Sequence, residues 1–90
     1  MNNRIIINPN HILSYDFTSV GTYKLLLYIF TYYDFEIKKV KLEYKEIKDI
    51  LKVSNKTFKN NIEELISKNI IVKINGYKYW YKLNNVKYGK

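Results

Sequence analysis

From Val20 to Tyr33, apolar side chains recur at Val20, Tyr23, Leu26/Leu27, Phe30 and Tyr33, which is the spacing of a helix. Thr18 or Ser19 can cap it by accepting from an orphan amide, and Gly21 falls in the first turn, where it costs least. The predicted helix, residues 18–33, is apolar nearly all round. Such a helix is either central to its own core or covered by another chain, so a homodimer through residues 19–33 is one expectation. Alternation then takes over: Phe35-Glu36-Ile37-Lys38 and Val40-Lys41-Leu42 suit a short strand or an extended connection with one buried face.

Helical spacing returns with Ile47, Ile50 and Leu51, and again with Phe58, Ile62, Leu65 and Ile66. These predict two helices within residues 44–68, separated only by Val53-Ser54. Ser54 can accept from the amide near Thr57, and Asn69 can take the left-handed conformation that ends a helix. In residues 70–83, two β-rich runs flank Asn75-Gly76, a pattern that predicts a two-residue type I′ hairpin. That turn pairs Ile74 with Tyr77, Lys73 with Lys78, Val72 with Tyr79 and Ile71 with Trp80. One face then collects Ile70, Val72, Ile74, Tyr77, Tyr79 and Tyr81; the other carries Ile71, Lys73, Lys78, Trp80 and Lys82. Residues 1–17 read as an N-terminal extension in which Arg4–Ile7 could be a short strand.

A chain of 90 residues supports one small core, so residues 1–90 are read as a single domain and a multi-domain enzyme is excluded. With no cysteine there is no disulfide framework, thiolate zinc site or cysteine nucleophile. No apolar run approaches a membrane span or a signal-peptide core, and a cytoplasmic location is expected. Catalytic chemistry finds no set of partners. His11 stands alone, Glu63-Glu64 and Glu43/Glu46 are neighbours only in sequence, and the three glycines are isolated. We therefore expect no enzyme, no cofactor and no metal.

Charge changes the picture through its distribution. Sixteen Lys and Arg face eight Asp and Glu, a net charge of +8 that favours a polyanionic partner. Lysine also belongs to the residue set that AT-rich codons encode, which dominates this composition, so the total alone says little. All the acids lie between Asp16 and Glu64, however, and Leu65–Lys90 contains six lysines and no acid. In the predicted hairpin, Lys73 opposite Lys78 is mildly destabilising unless an anion lies between them.

The stretch Glu46-Ile47 through Leu51, Val53-Ser54, Thr57-Phe58, Ile62, Glu64-Leu65 and Lys68-Asn69-Ile70-Ile71 resembles the winged helix-turn-helix family. The resemblance runs through the hairpin and implies an α+β fold of three helices with a C-terminal β-hairpin wing. It further implies binding of double-stranded DNA. Ser54, Asn55, Lys56, Thr57, Lys59 and Asn60 would sit on the recognition helix in the major groove, and Lys73, Lys78 and Lys82 would meet phosphates from the wing. The sequence departs from the family at three points: Lys48 replaces a small residue, Lys52 replaces the turn glycine, and Glu43 replaces a Ser or Thr cap. The recognition helix has no Arg, so its Asn residues point to adenine rather than guanine readout. The order of elements is also similar to small plasmid and phage replication or regulatory proteins of the RepL type, which implies a role in transcription regulation or mobile-element replication. Two other functions fit the residues. Tyr77, Tyr79, Trp80, Tyr81 and Tyr88 interleaved with lysines suit single-stranded DNA, and the same domain could serve as a protein-interaction module.

Overall fold

The helical spacing that begins at Val20 folds as α1, Val20–Tyr32, in a computed structural model that describes residues 14–84. The Arg4–Ile7 strand, His11 and Tyr88 lie outside the described residues. Ser19 caps α1, its Oγ accepting from the Gly21 N–H at 3.0 Å. Leu25, Leu26, Ile29 and Phe30 are buried in the chain's own core, whereas Val20, Leu27 and Tyr32 are exposed. The apolar circumference is thus divided between a covered and an uncovered side.

The alternating run after α1 does not extend as a strand. Asp34 closes a turn instead: its Oδ1 accepts from the amides of Glu36 and Ile37, its carbonyl accepts from Lys38 and Lys39, and its own N–H donates to Lys39 O. A carboxylate that satisfies two local amides competes effectively with a ladder, as Asp does in turns generally. Only β1, Val40–Lys41, is left as strand.

Two helices follow, α2, Tyr44–Leu51, and α3, Asn55–Ser67. Glu43 makes no side-chain cap to α2, while Lys52 adopts the left-handed conformation (φ 56°, ψ 49°) that the glycine of the related pattern would take without strain. Ser54 caps α3 by accepting from the Thr57 N–H at 3.1 Å. Asn69, at φ 60°, ends the helix: its N–H donates to Ile66 O and that of Ile70 to Leu65 O, the two bonds of a Schellman closure. Lys48 is exposed, so it points away from the helix contact.

Ile47, Leu51, Phe58, Ile62 and Leu65 fill the core as their spacing predicts, but Ile50 and Ile66 are 56% and 38% exposed. Each lies on the flank of its helix's apolar stripe. The place expected for Ile66 goes in part to Asn61, 2% exposed, because α3 turns that flank toward α1. Gly21 makes this approach feasible, since a Cβ there would fall 2.5 Å from the Asn61 side-chain amide. Thr22 Oγ1 lies 2.7 Å from Glu64 Oε1 and 3.0 Å from the Asn61 amide, yet a hydroxyl has one proton to donate. The carboxylate can only accept, so the hydroxyl donates to Glu64. Asn61 Oδ1 is left as a second acceptor facing the same hydroxyl, and its Nδ2 is buried with no hydrogen-bond partner among the described residues.

Thr18 completes this clasp, donating from its N–H to Glu64 Oε2 at 2.8 Å and from its hydroxyl to Oε1 at 3.1 Å. Partial burial pushes the Glu64 carboxyl upward, but the hydrogen bonds from Thr22 and Thr18 and the charge of Lys68 outweigh it and hold it below its ordinary value. A carboxyl lowered by folding stabilises the protein above its unfolded pKa and loses that contribution as pH falls through the folded value. Thermal unfolding should therefore begin earlier on acidification below about pH 4. Glu64→Gln, which does not titrate, should be less stable at neutral pH and change less with acid, as melting curves across that range will determine.

β2, Ile71–Lys73, and β3, Trp80–Leu83, form an antiparallel pair, and β1 joins on the other side of β3, giving the sheet order β1-β3-β2. The register differs from the two-residue hairpin by three positions: Ile71 pairs with Leu83, Val72 with Lys82 and Lys73 with Tyr81. Lys73 and Lys78 are consequently not opposed. An odd shift exchanges faces. It places Ile71, Tyr81 and Leu83 on the core side and sends Lys82 outward, whereas the tight hairpin would have put Ile71 on the same face as Lys78 and Lys82.

Residues 74–79 become the connection, folded as two successive turns. Asn75-Gly76 lies in the first, closed by Tyr77 N–H to Ile74 O at 3.3 Å, with Gly76 at φ 84° and Asn75 outside the positive region. This is type II chemistry rather than type I′, which needs both residues at positive φ. Lys78-Tyr79 lies in the second turn, with Tyr79 at φ 72°. The Tyr79 carbonyl accepts from Leu42 N–H at 2.7 Å, tying the connection to the end of β1. No helix among the described residues is long and apolar enough to cross a membrane.

Candidate nucleic-acid interface

The Ser54 cap fixes where α3 starts, and the Leu42–Tyr79 hydrogen bond fixes where the 74–79 connection folds back. Between them runs a groove of about 550 Å³, with the first turn of α2 at one end. Asn55 and Lys59 line it from α3, Lys73, Lys78 and Tyr79 from the sheet and its connection, and Lys45 from α2. Phe58, Ile62 and Tyr81 give it an apolar floor.

Four ammonium groups thus border the groove with one carboxylate, Glu43. That carboxylate is already engaged: Lys41 Nζ lies 3.4 Å from Glu43 and 3.2 Å from Glu46. The Glu46 hydrogen bond and charge, helped by Glu43, hold the Lys41 ammonium above its ordinary pKa. Among the described residues these are the ion pairs, so Lys45, Lys59, Lys73 and Lys78 carry no carboxylate partner there. Lys73 Nζ sits 5.4 Å from the Tyr81 ring and Lys78 Nζ 5.2 Å from Tyr79, contacts that steady an ammonium without neutralising it. A positively charged cleft with an apolar floor attracts and concentrates an anion.

Of the residues expected at the site, Asn55, Lys59, Lys73 and Lys78 come together here. Ser54 and Thr57 are engaged with each other: the Ser54 hydroxyl accepts from Thr57 N–H and donates to Thr57 Oγ1 at 3.0 Å. Lys56 and Asn60 are exposed on α3. Asn60 borders a separate depression shared with Thr57, Glu63 and the start of α1. Lys82 lies across the 74–79 connection from the groove, beside Lys38 and Lys39.

Lys45, and the pair Lys38 and Lys39, had no sequence signal of their own. Lys45 sits in the mixed-charge run Glu43-Tyr44-Lys45-Glu46, and only the packing of α2 against α3 brings it to the groove. Three of the aromatic residues named for the single-strand reading are already in contact with the rest of the chain. Tyr81 is buried, and the faces of Tyr77 and Trp80 are shared by the Lys39 ammonium at 4.4 and 5.3 Å. Comparison with protein-family models, with curated proteins and with solved structures found no match to this chain.

Proposed function

We propose that this chain is a winged helix-turn-helix domain that binds double-stranded DNA, with α3 as recognition helix in the major groove and the β2–β3 connection as the wing against the backbone. The observation that carries this reading is the groove between α3 and that connection, bordered by four lysines and a carboxylate already held by Lys41. A strip of unpaired ammonium groups beside an exposed Asn-bearing helix offers phosphate contacts for position and amide contacts for base reading. Asn55 and Lys59 have the best access to a duplex lying along the groove, with Asn60 and Lys56 on the outer face of the same helix. We assign the protein a role in transcription regulation or in the replication of a plasmid, phage or other mobile element. A homodimer would use the uncovered side of α1, where Val20 and Leu27 are exposed.

The test is competition between a duplex and its single strands for the purified protein at two salt concentrations, after selection of a bound site from a random library. The duplex should win, and its affinity should fall steeply with salt. Preference for the single strand would favour the stacking reading, and no binding to either would favour a protein-interaction module.

A further inference from the structure

A second basic depression, of about 440 Å³, lies on the opposite flank of the 74–79 connection. Lys38, Lys39, Lys73 and Lys82 line it together with Asn75, and no carboxylate does. None of the four lysines has an ion pair among the described residues. Their placement is built rather than incidental. Asp34 organises the turn from which Lys38 and Lys39 project, through the amides of Glu36, Ile37, Lys38 and Lys39. Lys38 is held at φ 58°, a conformation glycine adopts more readily, and the chain nonetheless has a lysine there. Lys39 Nζ is steadied 4.4 Å from the Tyr77 ring and 5.3 Å from Trp80. Lys73 lines this depression and the first groove alike, so the two adjoin at that side chain.

We propose that this second groove binds phosphodiester backbone of the same nucleic acid, so that the 74–79 connection has phosphates on both flanks. The proposal rests on the DNA-binding reading above. The shared Lys73 is what selects a nucleic acid over a small anion: a phosphate ion would fill one groove, whereas a chain of phosphates can pass from one to the other across that lysine. The Asp34–Lys39 turn thereby becomes a DNA-contacting element in its own right.

The experiment measures binding of the full chain to its selected duplex across a range of salt concentrations for three pairs of substitutions. Lys38→Gln/Lys82→Gln should flatten the slope of log K against log[salt] by about 2 and weaken binding about 30-fold at physiological salt, with melting temperature and base preference unchanged. Lys38→Arg/Lys82→Arg, which keeps the charge, should restore the slope. Lys59→Ala/Lys78→Ala reports on the first groove separately. If that pair flattens the slope while Lys38→Gln/Lys82→Gln does not, DNA binding stands and the second groove is overturned. If the unaltered protein shows no salt-dependent duplex binding, both readings fall together.

Discussion

Replacing Lys59, Lys73 and Lys78 together by alanine is expected to weaken duplex binding by about two orders of magnitude at physiological salt and to flatten the salt slope by about 3. Each lysine borders the groove without a carboxylate partner there, so each is available to displace a counterion from DNA. The loss should be nearly uniform across sequences, because phosphate contacts carry no base information. The single change Asn55→Ala should do the reverse, relaxing preference at one base pair by roughly 1–3 kcal/mol with the salt slope intact. Stability should fall slightly in the triple variant, because Lys73 faces Tyr81 across the strands and its ammonium rests on that ring. That contact is worth about 0.5–1 kcal/mol. Had Lys73 opposed Lys78, the same change would have relieved repulsion; a variant more stable than the parent would therefore argue against the observed register. Filter binding across a salt series, with thermal melts of the same preparations, gives both readings.

The largest loss of stability from adding a single methyl is expected at Gly21. Alanine is ordinarily the better helix former, by up to about 1 kcal/mol, and less in a first turn. Here its Cβ would fall 2.5 Å from the buried Asn61 amide, with Ser19 Oγ at 3.3 Å. Asn61 has little room to yield, because it is 2% exposed where α3 packs against α1. Overpacking of this kind costs about 1–3 kcal/mol, so Gly21→Ala should be destabilising despite its helix propensity. A double-mutant cycle isolates the cause. Asn61→Ala alone should also destabilise, by leaving a cavity where α3 meets α1, but in that background Gly21→Ala should be neutral or stabilising. Equal effects of Gly21→Ala in both backgrounds would show that the close approach is not the reason for the glycine.

What could be read in advance divides along the range of the interactions involved. Ser54 and Asn69 act on amides within a few residues, and the cap and the left-handed helix end they predict formed, whereas Asn75-Gly76 turns the chain as type II inside a longer connection and not as the expected two-residue type I′ hairpin. The spacing of Ile47, Leu51, Phe58, Ile62 and Leu65 likewise carried the core of the two short helices. The strand register was not legible, because it is decided by which of Trp80 and Tyr81 shares a face with Ile71, a question settled by β1 and the helices beneath. Asn61 was hidden for the same reason, since a polar residue is read as outward until Gly21 and Thr22 supply the space and a polar neighbour. At the candidate site, Asn55, Lys59, Lys73 and Lys78 were identifiable from their elements, whereas Lys45, Lys38 and Lys39 reach the grooves only through tertiary packing.

The sheet order also bears on how the chain is made. β1 and β2 flank β3 and have no ladder with each other, so each is an isolated edge until the last strand arrives. As the polypeptide leaves the ribosome, the three helices can meet and bury Leu25, Leu26, Ile47 and Leu65 while the sheet has yet to form. Trp80–Leu83 then completes two ladders in one step and closes Tyr81 over the core. Both basic grooves depend on that late event, since Lys73 and Lys82 reach them from paired strands and Lys78 from the connection between those strands. A nascent chain halted before Trp80 would hold the helix bearing Asn55 and Lys59 but not the paired strands that place Lys73 and Lys82 at the grooves.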